Sequence, residues 1–320
     1  MKKTTVMLLI ALLFVFTVGC SQPADDIYTA HAELKDITIE DEAVPLSSAP
    51  AAIADILEPK ASGSKQKSGG GALIDHSNVK DGYVMVKYSG SGNQRLKVQV
   101  KGPSTTYTYN LSGNKWEVFP LSDGNGSYKV SVFENVSGNQ YAMLTSLSQN
   151  VKLANEFAPF LRPNQYVNYS AASNAVEIAA TLTKDITDPL KKVEAVYDYV
   201  VKTLSYDTKK AASVQSGYLP VLDDVLKSKK GICFDYAALM TGMLRSQKVP
   251  CKLVAGFADN AYHAWISVWT EQSGWIDGVI FFDGSRWQRM DPTFASAANK
   301  SAEIMKYIGD GSHYTTKYLY

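Results

Sequence analysis

The periodicity of apolar residues changes once along this chain, near residue 153, and that change constrains the fold more than any other feature. Before it, apolar residues alternate with polar ones: Leu96, Val98 and Val100 in one run, Tyr107, Tyr109 and Leu111 in another. Successive side chains of a strand point to opposite faces, so strict alternation predicts strands with one buried face. Further Val- and Tyr-rich runs lie at 83–88, 116–119, 128–133 and 141–147. Turn residues separate them, as at Ser112-Gly113-Asn114 and Asp123-Gly124-Asn125-Gly126. Short strands at this spacing predict a small antiparallel β-sandwich, Ig-like, over residues 73–153. It contains no Cys, and its one His, His76, has no partner pattern.

After residue 153 the apolar spacing lengthens to three and four. Val193, Val196, Tyr197, Val200 and Leu204 fall on one helical face. Asp188-Pro189 ahead of them predicts an N-cap followed by Pro at the first helical position. A short helix is expected at 220–227. A third is expected at 233–247, lined by Ala237, Leu239, Met240, Met243 and Leu244. Apolar strands follow at 252–257, 263–270 and 287–291. Helices first and antiparallel strands after them predict an α+β domain over 154–320.

The N-terminal residues read as targeting and spacing. Lys2 and Lys3 precede an apolar run at 6–18 interrupted only by Thr17. The run is shorter than the ~20 residues of a membrane span. Thr17-Val18-Gly19-Cys20 resembles the lipobox of bacterial lipoproteins. That resemblance implies a lipoprotein signal peptide over residues 1–20, cut just before Cys20, with Cys20 lipidated as the first residue of the mature chain. The mature chain is then expected outside the cytoplasm, anchored to the bacterial cell membrane. Residues 21–72 are acidic and end in Ala61-Ser62-Gly63-Ser64 and Ser68-Gly69-Gly70-Gly71, a composition that predicts a flexible tether.

The bulk charge is balanced, with 32 Lys and Arg against 31 Asp and Glu. No basic block or basic–aromatic stripe points to a nucleic-acid partner. The four histidines and the two cysteines beyond Cys20 show no metal-ligand spacing, and there is no acidic calcium loop. No metal or cofactor is expected.

The two cysteines of an exported chain invite a disulfide, Cys233 to Cys251. A helix over 233–247 would hold its ends ~20 Å apart, and a disulfide needs Cα atoms within ~7 Å. Cys233 is therefore expected as a free thiol at a helix N-terminus, where unpaired N–H groups favour an anion. His263 opens a strand in Tyr262-His263-Ala264-Trp265, and Asp291 ends one in Met290-Asp291-Pro292-Thr293. A thiol, an imidazole and a carboxylate are the parts of an activated-nucleophile site.

Residues 231–293 resemble the transglutaminase-like superfamily, which includes transglutaminases, peptide:N-glycanases and bacterial cysteine peptidases. The resemblance is carried by Gly231-Ile232-Cys233-Phe234-Asp235-Tyr236-Ala237, by 244–250 leading to Leu253-Val254-Ala255-Gly256, by His263-Ala264-Trp265 and by Asp291-Pro292-Thr293. It implies a papain-like core, a Cys-bearing helix packed on an antiparallel sheet. It implies Cys233 as nucleophile, His263 as acid/base and Asp291 as the orienting carboxylate. Family members hold the oxyanion with an upstream aromatic or amide side chain, for which Tyr206 and Gln215 are the candidates. Gln247-Lys248 stands where relatives often have Gly. The expected activity is attack on peptide or side-chain amides of a protein or peptide substrate, through a Cys acyl-enzyme resolved by water or by an amine. The alternative is a catalytically silent surface protein that binds through its β-sandwich.

Overall fold

The computed structural model describes residues 55–91, 94–271, 274–277, 279–282, 287–290 and 312–320. Residues 1–54, with the lipobox, Cys20 and most of the expected tether, lie outside them, as does Asp291. Among the described residues no helix is long and apolar enough to cross a membrane.

The alternating half forms two four-stranded antiparallel sheets. Strands β1 (Gln66–Gly69), β2 (Ala72–Asp75), β3 (Tyr83–Tyr88) and β6 (Glu117–Pro120) make the first, in the order β1-β2-β3-β6. Strands β4 (Leu96–Lys101), β5 (Thr106–Leu111), β7 (Gly126–Ser137) and β8 (Gln140–Val151) make the second, in the order β5-β4-β7-β8. The residues that alternate in the sequence are the ones that turn inward. Leu96, Val98, Val100, Tyr107, Tyr109 and Leu111 are all buried in one apolar core with Ile74, Val84 and Val86 of the first sheet.

The expected tether over 21–72 is corrected at its C-terminal end. Residues Gln66–Gly69 form β1, paired with β2. Ahead of β1, the Gly63 N–H donates to the Asp75 carboxylate at 2.7 Å, and Lys60 N–H donates to the Tyr83 hydroxyl at 3.0 Å. The glycines here serve close approach rather than flexibility. A Cβ on Gly69 would come within 2.9 Å of the Leu144 carbonyl, and Gly70, at φ +56°, faces the Leu144 side chain.

Among the described residues, the second half supplies five α-helices and a further four-stranded sheet. Helix α1 is Asn174–Leu182 and α2 is Pro189–Thr203. Asp188 caps α2 as its sequence predicts, accepting from the Leu190 N–H at 2.8 Å. A short strand β9 (Ser205–Tyr206) and helix α3 (Thr208–Ser213) follow, then α4 (Leu222–Ser228), β10 (Lys230–Gly231) and α5 (Cys233–Ser246). Strands β11 (Cys251–Ala258), β12 (Ala261–Thr270), β13 (Gly274–Asp277) and β16 (Tyr314–Leu319) form an antiparallel sheet in the order β13-β12-β11-β16. Strands β14 (Val279–Phe282) and β15 (Trp287–Met290) pair as a hairpin.

Helix α5 is the hub. Helices α1, α2 and α4 pack on it, and so do β11 and β12. Its residues 235–246 are all buried, which explains why apolar and small residues occupy every face. The two halves also share side chains. Tyr107 and Tyr109 of β5 lie 5.7 and 5.9 Å, ring to ring, from Tyr320, and Tyr109 lies 5.5 Å from Tyr166. Gln165 donates to Glu117 and to the Asn110 carbonyl, both at 2.6 Å.

Candidate active site

The turn before α5 is built for one residue type at each position. Gly231 is buried, and a Cβ there would sit 2.7 Å from the Asp235 Cβ. Ile232 is extended (φ −93°, ψ 173°), so the helix begins at Cys233. Asp235, in the first turn, closes the cap: its carboxylate accepts the Ile232 N–H at 2.8 Å, and its own N–H donates to the Ile232 carbonyl at 2.9 Å. The Cys233 side chain is thereby placed half-buried at the edge of the core, at the helix end where backbone N–H groups gather.

A strand pair stitches this turn to an upstream segment. β9 and β10 run parallel, with Gly231 opposite Tyr206 and Lys230 opposite Ser205. The Asp207 N–H donates to the Gly231 carbonyl at 2.9 Å. Of the two oxyanion candidates, Tyr206 therefore lies beside the Cys233 turn. Gln215 sits on an exposed loop, its amide spent on the Ser213 carbonyl at 2.9 Å.

Nothing in the local pattern foretells what surrounds Asp235. This carboxylate is fully buried. Lys210 Nζ lies 2.7 Å from its Oδ2, and the Tyr218 hydroxyl donates to its Oδ1 at 2.5 Å. Lys210 also donates to the Tyr218 oxygen at 2.5 Å and lies 4.2 Å above the Tyr218 ring. Burial and the bond to Asp235 push the Tyr218 hydroxyl far above its ordinary value, so it stays a neutral donor. The one available signal was Asp235 itself, at the helix position where a cap is expected.

His263 lies on β12, opposite Gly256 of β11, and is 6% exposed. Its ring centre is 6.2 Å from that of Trp265 and 6.4 Å from that of Tyr314. Gly256 makes room for this cluster. A Cβ on it would fall 2.0 Å from the Thr315 carbonyl and 2.8 Å from the Trp265 ring. Since α5 packs on β12, the elements carrying Cys233 and His263 adjoin. Within β12, Ala264, Ile266 and Val268 enter the core shared with α5, whereas His263 and Trp265 alternate to the opposite face, so it is the two elements rather than the two side chains that these contacts bring together.

Cys233 and Cys251 are both free thiols. Cys251 is fully buried, and that burial pushes its thiol up to about 12. At the same end of α5, Arg245 donates to the carbonyls of Cys251 and Arg162 at 2.8 Å each, and to the main-chain oxygen of Tyr320 at 2.5 Å. Among the described residues no three His, Cys, Asp or Glu side chains gather as a metal site.

Residues 176–292 match the family model of the transglutaminase-like superfamily, a span that includes Cys233, His263 and Asp291. This segment belongs to that superfamily. The described chain is thus an all-β sandwich followed by an α+β segment that matches the transglutaminase-like core. It is similar to the uncharacterized protein YebA of Bacillus subtilis, 21% identical over 195 residues, which are 54% of this chain and 26% of that protein. The likeness thus spans about a quarter of that relative's length. Among solved structures, the periplasmic domain of TgpA from Pseudomonas aeruginosa aligns at 16% identity with a TM-score of 0.34, covering 77% of this chain and 98% of that one. Red sea bream transglutaminase aligns at 12% identity with a TM-score of 0.29, covering 71% and 53%.

Proposed function

We propose that this protein is an extracytoplasmic, membrane-anchored thiol enzyme that attacks peptide or side-chain amides of envelope or extracellular proteins. The observation that carries the reading is the placement of Cys233: half-buried at the first residue of a fully packed helix, in a segment that matches the transglutaminase-like core. In this reading the Cys233 sulfur attacks the amide carbon, and His263 takes up the thiol proton and returns it to the leaving amine. Asp291 holds the imidazole in the required tautomer. Main-chain N–H groups at the start of α5, helped by Tyr206 across the β9–β10 pair, face the developing oxyanion. The products of this first step are a thioester on Cys233 and a free amine. Water then releases an acid, or a second amine forms a new amide, with the thiol regenerated in either case. The lipid on Cys20 would keep the enzyme at the membrane surface.

The test is covalent capture. The full chain is incubated with cell-envelope protein, quenched in acid and digested, and the Cys233 peptide is searched for an acyl mass increment. An adduct on Cys233 that is absent in Cys233→Ala supports the reading. A chain that turns over no amide and carries no adduct contradicts it.

A further inference from the structure

Beyond the Cys233, His263 and Asp291 set, the most constrained group of charges is the one beneath the cysteine turn. Asp235 does two things at once. Its oxygen caps the Ile232 N–H, a task that an uncharged acceptor also performs. Its charge, fully buried and two residues from Cys233, opposes a second anion on the same helical turn. Among the described residues the cation that answers that charge is Lys210, at 2.7 Å. Lys210 is held in place rather than free to swing. Asp207 caps α3 by accepting the Lys210 N–H at 2.9 Å, and the Asp207 N–H is itself bonded to Gly231. The Tyr218 ring and hydroxyl close the other side of the ammonium.

We propose that Lys210 is a positioning residue of the Cys233 site: by neutralising the buried Asp235 carboxylate it keeps the first turn of α5 an electropositive seat for the thiolate. This inference rests on the reading of Cys233 as the nucleophile. It gives the pair a task that packing alone does not require, because Asn at 235 would satisfy the cap without any cation. The sign of the effect is fixed by charge. Removing Lys210 leaves an anion beside Cys233, and removing the Asp235 charge leaves a cation there. Other ionisable groups on the surrounding elements include Tyr206 on β9, Asp207 at the cap of α3 and Lys209 within it, Asp223, Asp224 and Lys227 on α4, Lys230 on β10, and Tyr262 and His263 on β12. Neither substitution touches them.

The experiment is the rate of iodoacetamide labelling of Cys233 in the folded full chain, followed by mass across pH 5 to 9.5, with thermal melts of every variant. Lys210→Met is expected to move the half-maximal pH up by about one unit, and Asp235→Asn to move it down by about half a unit. Lys210→Arg is expected to restore the wild-type profile. A purely structural role would lower melting temperatures without moving the two profiles in opposite directions. Profiles of Lys210→Met and Asp235→Asn that superimpose on the wild type, or that shift the same way, overturn the proposal. If Lys210→Met does not fold, the Asp235→Asn shift decides alone. Wild-type Cys233 that labels no faster than in the urea-unfolded chain is a separate result. It removes the nucleophile reading, and this inference falls with it.

Discussion

The two ends of helix α5 carry opposite solutions to the same problem, a charge taken out of water. At the N-terminal end Asp235 is matched by a cation and a hydroxyl, and Cys233 beside it is left half-exposed. At the C-terminal end Arg245 is 1% exposed and is matched by three main-chain oxygens, with Cys251 sealed beneath it. Each charge also has the sign that its end of the helix favours, anion at the start and cation at the finish. The closed end ties α5 to the loop at Arg162, to β11 and to Tyr320. The open end spends its polar contacts on shaping one turn. The same residue type, Cys, is a chemical group at one end and a small core residue at the other.

This contrast breaks first at the thiols. Cys233→Ala is expected to abolish turnover of any substrate found by adduct capture, and Cys251→Ala to leave it largely intact. Comparable losses from both would mean that the two ends are not chemically distinct. Next in size is the closed end. Arg245→Met takes a donor from the main-chain oxygens of Cys251, Arg162 and Tyr320, the last of which keeps the Leu253 N–H, and is expected to destabilise the fold by about 3–5 kcal/mol. Urea unfolding measures it, and a loss below about 1 kcal/mol would show that water replaces the guanidinium there.

At the open end, Asp291→Asn in a folded protein is expected to lower turnover about 10–10³-fold, or ~1.4–4 kcal/mol in barrier. Full activity would exclude Asp291 as the third member and direct attention to Asp283. The smallest effect is a pH slope. The Cys251 thiol is raised by burial to about 12. An acid raised in the folded state contributes stability that is intact below its unfolded value, near ~8.5. That contribution is lost as pH climbs toward the folded value, by at most ~1.4 kcal/mol per unit. The stability difference between wild type and Cys251→Ala should therefore shrink between about pH 9 and 12. A constant difference would mean that the thiol is not shielded from solvent base.

Much of this contrast was legible from local pattern. The boundary near residue 153, the Asp188-Pro189 cap and the helix start at Cys233 all follow from spacing and backbone chemistry within a few residues. The strands of the sandwich were legible for the same reason, but their partners were not. Alternation tells which side of β5 is buried, and says nothing of Tyr320, more than two hundred residues further on, as the ring that Tyr107 meets. Gln66–Gly69 was misread because Gly and Ser suit both a tether and a strand pressed against Leu144 and Thr145. Lys210 was invisible because an exposed-looking Lys in a short polar helix carries no mark of the carboxylate it will meet across the fold. His263 was legible as a residue type at a strand start, whereas its neighbours Tyr314 and Trp265 depend on the register of β11, β12 and β16.

The most direct test of the two-ended account is a single labelling measurement. Native protein is treated with limiting iodoacetamide at pH 6.5, alongside the same protein unfolded in urea and a folded His263→Ala variant, and each cysteine is quantified by mass. The account predicts that native Cys233 labels at least about tenfold faster than in the unfolded chain. It also predicts that His263→Ala removes most of that advantage, and that Cys251 labels only after unfolding. Native Cys233 and Cys251 labelling at similar rates, or a Cys233 advantage untouched by His263→Ala, would contradict it.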